Sequence, residues 1–486
     1  MWNKLSCGKV LVVGAARSGI AVANLMKASG CEVTINDQKD VGLLGSNLLN
    51  LSEGVKVSVG GHPLSLLDET DLIVLSPGVP MDIPLLIEAR ARGIKVISEI
   101  EAAYQLLSCF MEAMPFVGCM FLAVTGTNGK STTTTLLYEL IKGSGYNAIL
   151  SGNIGNALSG EVHRLINSEH VYDMPNIYFF VTELSSFQLE GIETFRPFGS
   201  TILNITPDHL DRYKDMSEYV DAKCRVFKNQ GPMDFVVLNA DDPYTGDILN
   251  RIRQFGENGP RVFFFSRQRV VEGAYCLGDI LKVAISHKDC ERSIFDVDPE
   301  ACGMTLSPTA FQLRGVHNLE NIMAATVMAV LSGCKRESIE HVLCTFKGLE
   351  HRLEFVRELE GVTYINDSKG TNIGAVAKSL EGFNTPVILI AGGRDKASDF
   401  SVLRPYIQGR VKALVLIGEA AEKIGSALKD CCDMHYASTL TDAVVMSKAL
   451  AQRGDTVLLS PACASFDMFR DFEDRGRQFK EIVVNL

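Results

Sequence analysis

The chain has 486 residues, 46% of them apolar, which suffices for about three domains of ordinary size, each with its own core. Its 47 basic and 58 acidic residues leave a formal net charge of −11, which argues against nucleic-acid or anionic-membrane partners and requires an anionic substrate to be held by local charges. No apolar run approaches the roughly 20 residues of a membrane span, and 13 cysteines without a Cys-x-x-Cys pair fit reduced thiols in the cytoplasm better than a disulfide framework or a zinc site.

Strand-like runs alternate with helical periods along the whole chain, so the expected class is α/β, in three domains over 1–108, 109–347 and 348–486. In the first, the strands Lys9-Val-Leu-Val-Val, Glu32-Val-Thr-Ile-Asn-Asp, Asp71-Leu-Ile-Val-Leu and Lys95-Val-Ile-Ser predict a doubly wound, Rossmann-like sheet. The Val10–Val13 run reads as a short strand and not a leader, since no cleavage site follows it. Gly14-Ala-Ala-Arg-Ser-Gly19 resembles a dinucleotide fingerprint, but Ala16 stands where the middle glycine would let a pyrophosphate approach the backbone. Asp37, twenty-three residues after Gly14 and at the end of the second strand, is placed for a ribose or base edge, or is simply a solvated acid after a turn. Ser76-Pro-Gly78 ends a later strand on the same expected edge and could close over a sugar or diphosphate.

The second domain opens with Met120-Phe-Leu-Ala-Val-Thr-Gly-Thr-Asn-Gly-Lys-Ser-Thr, an apolar strand, a glycine turn, a lysine and a helix entrance. This is the arrangement that cradles nucleotide phosphates. Backbone N–H groups between Gly126 and Gly129 face phosphate oxygens, the helix dipole adds to them, Lys130 supplies a point charge, and Ser131 or Thr132 can hold Mg²⁺. Val124 occupies the place of the usual first glycine, so the loop is a shortened relative of the general pattern. Tyr178-Phe-Phe-Val-Thr-Glu183 then delivers a carboxylate at the end of a buried strand, where it could bind a metal. The run Ser200–Thr206 leads into Pro207-Asp-His209-Leu-Asp-Arg212, which puts an imidazole in a turn as a second candidate ligand, unusual for oxygen-preferring Mg²⁺. By composition alone Lys223 reads as a surface lysine or a phosphate contact, and His317, Asn318 and Asn321 as capping groups that could equally grip an adenine. Between about 268 and 310 the pattern is too weak to place strands.

The third domain predicts parallel strands at Val362-Thr-Tyr-Ile-Asn, Val387-Ile-Leu-Ile-Ala-Gly, Ala413-Leu-Val-Leu-Ile-Gly and Thr456-Val-Leu-Leu-Ser, again Rossmann-like, with sites expected at their carboxyl ends.

Taken together, Thr125-Gly-Thr-Asn-Gly-Lys-Ser-Thr, Glu183-Leu-Ser-Ser-Phe-Gln-Leu, Asp208-His-Leu-Asp-Arg, His317-Asn-Leu-Glu-Asn and Glu350-His-Arg352 resemble the Mur ligase family of ATP-dependent amide-forming ligases, in order along almost the whole chain. Asp367-Ser-Lys-Gly-Thr-Asn372, Gly392-Gly-Arg-Asp-Lys396 and Ser460-Pro-Ala-Cys-Ala-Ser465 look like its D-glutamate-adding branch. The resemblance implies a UDP-sugar-binding first domain, a central P-loop-type ATPase domain with a mostly parallel sheet, and an amino-acid-binding third domain. It further implies that D-glutamate is added to UDP-N-acetylmuramoyl-L-alanine through an acyl phosphate, in cytoplasmic peptidoglycan precursor synthesis, by a monomer.

By the same resemblance Gly126, Thr127, Asn128, Gly129, Lys130, Ser131 and Thr132 hold ATP, joined by Asn318, Asn321, Arg352 and Asp367. Two Mg²⁺ ions fall to Ser131, Glu183, His209 and Lys223, the last carbamylated so that a cation becomes an oxygen ligand. Lys130, His209 and Lys223 are the implied catalytic groups. Ser18, Asp37, Ser76, Gly78, Asn153, Ser185 and Gln188 would face the UDP-sugar, and Lys369, Thr371, Lys396, Ser465 and Phe472 the glutamate, whose two carboxylates suit two lysines. Hinge closure is expected around 346–350. Competing readings are a ligase adding L-glutamate or a diamino acid, a nucleotide-binding regulator without turnover, and a dehydrogenase, the last opposed by the degraded glycine loop.

Overall fold

The computed structural model describes residues 8–168, 176–209, 212–313, 316–383, 385–395 and 398–486. The chain forms two compact units, one of residues up to Ile205 with His209–Pro308 and Ile322–Val342, the other of Thr206–Asp208, Thr309–Asn321 and Leu343–Leu486.

The first unit holds two sheets. In the smaller, β1 (Lys9–Val13), β2 (Glu32–Asp37), β3 (Lys56–Val59), β4 (Leu72–Leu75) and β5 (Lys95–Ser98) run parallel in the order β3-β2-β1-β4-β5. Helices cover both faces, so β1 is apolar after Lys9: Val10 and Val12 belong to one core cluster and Leu11 and Val13 to another. The order reverses at β1, which opens a crevice at the Gly14 turn between β2 and β4.

The larger sheet has nine strands: β6 (Val117–Thr125), β7 (Asn147–Gly152), β8 (Asn176–Glu183), β9 (Gly199–Ile202), β10 (Phe235–Asn239), β11 (Arg261–Ser266), β12 (Gly273–Leu277), β13 (Ile280–Ala284) and β14 (Thr305–Leu306). Their order is β14-β13-β12-β11-β10-β9-β6-β8-β7, parallel from β7 to β12 and antiparallel beyond. The unplaced segment 268–310 therefore carries a hairpin that extends the sheet. Its Leu277 and Ile280 are exposed, so the alternation that marks a strand is blurred there. The same segment holds one cysteine pair. Cys290 and Cys302, at the ends of two short helices packed on each other, form a disulfide, whereas the ten other described cysteines are thiols.

Helix Glu99–Ala113 runs on from β5 and crosses the expected boundary at 108, because its apolar face packs into a core shared by both sheets. Its first turn is unusual in burying two carboxylates. Glu101 accepts hydrogen bonds from the backbone N–H groups of Glu193, Thr194 and Phe195 at 2.9 Å, from the Thr194 hydroxyl at 2.5 Å and from Gln105 at 2.6 Å. Burial pushes the carboxyl up, yet the bonds from Thr194, Gln105 and the backbone outweigh it and hold Glu101 below the ordinary 4.5. A depressed carboxyl stabilises the fold above its unfolded value and loses that contribution as pH falls through its folded value. Glu101→Ala removes the acceptor of three backbone N–H groups, that of Phe195 buried and those of Glu193 and Thr194 partly so, and is expected to cost about 2–4 kcal/mol. Urea denaturation at neutral pH checks this, with the gap between variant and parent narrowing below pH 4.5. A loss under about 1 kcal/mol would contradict the role.

The second unit is built on β15 (Glu354–Leu359), β16 (Val362–Asn366), β17 (Val387–Gly392), β18 (Val411–Ile417), β19 (Asp433–Tyr436) and β20 (Thr456–Leu459), in the order β15-β16-β20-β17-β18-β19. All pairs are parallel except β15 with β16.

Candidate functional site

Strand β6 lies between β8 and β9, third from one edge of its sheet, and the phosphate loop leaves its carboxyl end. Two glycines are required there. Gly126 has φ +140° and a Cβ on it would come within 3.1 Å of Leu203, while Gly129 caps helix Lys130–Gly143 at φ +86°. The loop thus turns the helix N-terminus back over the strand, the geometry of an anion site. Lys130 folds over the loop, its Nζ donating to Gly126 O at 2.9 Å and Thr127 O at 2.7 Å.

Lys223 is not the surface lysine that composition suggests. It is 1% exposed, donates to the same Gly126 carbonyl at 2.8 Å, and lies 4.6 Å above the ring of Tyr219. Tyr219 in turn reaches Thr127 with its hydroxyl at 3.2 Å. Sequence reasoning missed Tyr219, although its place four residues before Lys223 puts both on one helix face.

Glu183 ends β8 at the register position of Val124, two residues before the loop, and Gly152 of β7 flanks it. One of its carboxylate oxygens accepts from Asn153 Nδ2 at 2.8 Å, and the other is buried without a hydrogen-bond partner. The Thr132 hydroxyl, in the first turn of the helix, is likewise buried and unpartnered. Orphaned oxygen donors beside a phosphate loop fit a hard divalent cation. Among the described residues no three His, Cys, Asp or Glu side chains gather as a ready-made cage.

His209 takes φ +55° and its ring meets Phe187 edge-on at 4.8 Å. The Arg212 guanidinium lies 4.1 Å over the same Phe187 ring and pairs with Glu190 at 2.7 Å, which also accepts from the Tyr213 hydroxyl at 2.6 Å. These groups and Pro80, Met81 and Asp82 line a cavity of about 780 Å³. Asp211, the second acid expected in this turn, lies outside the described residues.

The expected UDP-sugar residues are mixed in their surroundings. Asp37 braces its own loop, one oxygen accepting from Ala15 N at 2.7 Å and the other from Lys39 N at 2.9 Å. Ser18 sits in the first turn of helix Arg17–Ala28, whose N-cap Ala16 offers no side-chain cap, so that turn faces the crevice with uncapped donors. Ser76 is buried against Gly14, where an added Cβ would come within 2.6 Å of it, and Gly78 has open space around it. Ser185 and Gln188 form a reciprocal capping box on helix Ser186–Glu190, with Gln188 98% enclosed, so both read first as structural.

In the second unit Asn318 and Asn321 are buried in the first turns of helix Val316–Leu331 and bond to each other at 3.2 Å. The side chain of His317 lies outside the description. Asp367 is buried at the end of β16, its carboxylate accepting from the hydroxyls of Ser460 at 2.6 Å and Ser379 at 2.8 Å and from Leu353 N at 3.3 Å. Burial raises its carboxyl above 3.8 against these bonds and the nearby Arg352 charge. It therefore ties the turn at Leu353, the helix Ile373–Glu381 and the end of β20 together. The 350–352 loop is fixed by His351, whose O accepts from Lys369 N at 3.0 Å and whose ring contacts Asn366 at 2.9 Å.

Of the residues expected at the amino acid, Lys369 lies 5.4 Å over the half-buried ring of Phe472, Thr371 follows it in the same turn, and Ser465 is buried after β20. Lys396 lies outside the described residues. Sequence reasoning also missed Arg475, which is fully buried. Its guanidinium donates to Ser368 Oγ at 2.9 Å, Ser368 O at 2.8 Å and Cys463 O at 3.3 Å, which clamps the turn bearing Lys369 to the loop bearing Ser465. Burial pulls its pKa down to about 10. An arginine in a charged terminal helix gives no signal of this in a sequence.

Three family models match the chain in order: the MurD-like N-terminal domain of Mur ligases over 8–98, the Mur ligase middle domain over 124–329, and the Mur ligase glutamate ligase domain over 351–463. The chain belongs to the Mur ligase family. Within it, the chain is 43% identical to the UDP-N-acetylmuramoylalanine–D-glutamate ligase of Geotalea daltonii over 98% of this chain and 97% of that one. It is 41% identical to the ligase of the same name from Pelotomaculum thermopropionicum, over 98% of each. Among solved structures, MurF from Acinetobacter baumannii matches with a TM-score of 0.59 at 14% identity, over 97% of this chain and 93% of that one. MurC from Thermotoga maritima matches at 0.55 and 18%, over 98% and 99%. Identities that low speak for the fold alone, the three-domain α/β architecture with mostly parallel sheets.

Proposed function

We propose that this chain joins D-glutamate to UDP-N-acetylmuramoyl-L-alanine at the expense of ATP, a step of peptidoglycan precursor synthesis. The observation that carries the reading is a phosphate loop held by Lys130 and the buried Lys223, in a chain alike from end to end to D-glutamate ligases. The domain spans proposed are 1–108 for the UDP-sugar, 109–347 for ATP and 348–486 for the amino acid. The setting is the cytoplasm, the substrates are soluble and a single chain is the working unit. No described helix is long and apolar enough to cross a membrane.

The alanyl carboxylate attacks the γ-phosphate of ATP in line, ADP leaves, and the acyl phosphate forms. Gly126, Thr127, Asn128, Gly129 and the helix N-terminus through Ser131 and Thr132 hold the phosphates, and Lys130 follows the charge onto the transferring group. Ser131, Glu183, His209 and a carbamylated Lys223 would hold magnesium, two ions in this reading, which when bound supplies neutralisation of phosphoryl charge. The amine of glutamate then attacks the acyl carbon, the tetrahedral oxyanion collapses, and inorganic phosphate departs. Lys369 and Lys396 pair with the two glutamate carboxylates, with Thr371, Ser465 and Phe472 shaping the pocket. Ser18, Asp37, Ser76, Gly78, Asn153, Ser185 and Gln188 serve the UDP-sugar, and Asn318, Asn321, Arg352 and Asp367 the nucleotide, Asp367 through the segments it ties.

Mass spectrometry of the product tests the reading. A UDP-sugar whose mass has grown by one glutamyl residue supports it, and unchanged UDP-sugar with ATP, Mg²⁺ and D-glutamate present opposes it.

A further inference from the structure

The phosphate loop is held from outside by one side chain that the sequence did not single out. Asn204, just past the end of β9, accepts from Thr127 N through its backbone carbonyl at 2.9 Å. Its side-chain amide pairs with Asn128 in both directions, Oδ1 accepting from Asn128 N at 2.8 Å and Nδ2 donating to Asn128 O at 3.0 Å. One residue thus makes three hydrogen bonds to two consecutive loop residues. It does so in the manner of a strand partner, at a place where the chain has left the sheet.

Asn204 is itself fixed on either side. The carbonyl before it, Leu203 O, accepts from Asn239 Nδ2 at 3.2 Å, and the N–H after it, Ile205 N, donates to Asp242 at 2.8 Å. Leu203 N also donates to Thr125 O at 3.0 Å, which extends the β6–β9 pairing to the edge of the loop. The outer supports come from Asn239 at the end of β10, the next strand along, and from Asp242 in the turn that follows it. The segment that carries the amide is therefore hydrogen-bonded on both sides of Asn204.

We infer that Asn204 is a positioning residue for ATP, an amide clamp that presets the phosphate loop; the inference rests on the nucleotide half of the function proposed above. The loop needs such a clamp. Gly126 and Gly129 both sit at positive φ, where the backbone is least restrained by its own side chains, and each would otherwise lose more entropy on binding. Lys130 adds only a flexible donor to Gly126 O and Thr127 O. The Asn204 bonds instead fix the peptide planes of Thr127 and Asn128, and so set the direction from which the helix N-terminus meets a phosphate. Because bound ATP can itself re-form a loosened loop, loss of the clamp is drawn from binding energy and appears in KM, with little effect on kcat once ATP saturates.

Asn204→Ala should weaken ADP binding by calorimetry about tenfold and raise the KM for ATP by a similar factor, the size expected for one or two lost hydrogen bonds. The KM for the amino acid and kcat at saturating ATP should stay within about twofold of the parent. Asn204→Asp keeps the acceptor for Asn128 N but sets a carboxylate oxygen against Asn128 O, so it should bind ADP no better than the alanine variant. Should Asn204→Ala not fold, the aspartate variant decides alone. ADP affinity unchanged in the folded variants, or an equal loss for all substrates, would overturn the clamp. A parent protein that binds no ADP would instead sink the nucleotide reading on which it rests.

Discussion

Lys223→Ala is expected to lower kcat by about a thousandfold, with part of the activity returned by short-chain carboxylic acids. The side chain is almost completely enclosed, and its Nζ ends on Gly126 O over the Tyr219 ring. A cation there serves the loop but opposes a metal ion. The proposed carbamylation would resolve the conflict, because addition of CO₂ to the neutral amine, with loss of a proton, would convert the tip to an anionic oxygen ligand. Removing the stem leaves a void that a small carboxylate can enter to replace that ligand. Lys223→Arg separates the two roles, since it keeps a buried cationic donor but cannot become a carbamate. Full activity of either variant would contradict the proposed carbamate, and a carbamate carbon resonance from protein equilibrated with labelled bicarbonate would support it directly.

Lys130→Ala should reduce kcat by about a thousandfold as well, without rescue by carboxylates. In this structure Lys130 is parked on two loop carbonyls at 2.7 and 2.9 Å, bonds that a polyphosphate can outcompete because an ionised acceptor binds an ammonium more strongly than a neutral one. Its charge is then at hand as negative charge redistributes toward the leaving and transferring oxygens. Steady-state kinetics check this: the KM for the amino acid should hold while kcat falls, and a fall of less than about tenfold would remove Lys130 from the phosphoryl step.

The parts of this molecule that were legible in its sequence are those buried on two faces. Strands β1, β4, β17, β18 and β20 are continuous apolar runs ending in glycine, serine or proline, and each appears in the structure within a residue or two of its expected place. Three edge strands were not legible, although the edge strand β5 was. β3, β15 and β19 are partly solvated, with Phe355 of β15 63% exposed, so no period distinguishes them from loops. The phosphate loop was readable because its glycines answer a local backbone demand, as the positive φ of Gly126 and Gly129 shows. Asn204, Tyr219 and Arg475 were not, because each acts on a loop distant in sequence and only the folded register reveals its partner. Asp37, Ser185 and Gln188 show the converse: residues marked for a ligand whose polar atoms already serve a turn or a helix cap.

The central claim is tested most directly by phosphate release from ATP in the presence of Mg²⁺ and UDP-N-acetylmuramoyl-L-alanine, with D-glutamate, L-glutamate or meso-diaminopimelate added in parallel. Sustained release with D-glutamate alone is the predicted result. Release sustained by another amino acid, or by none, would contradict it.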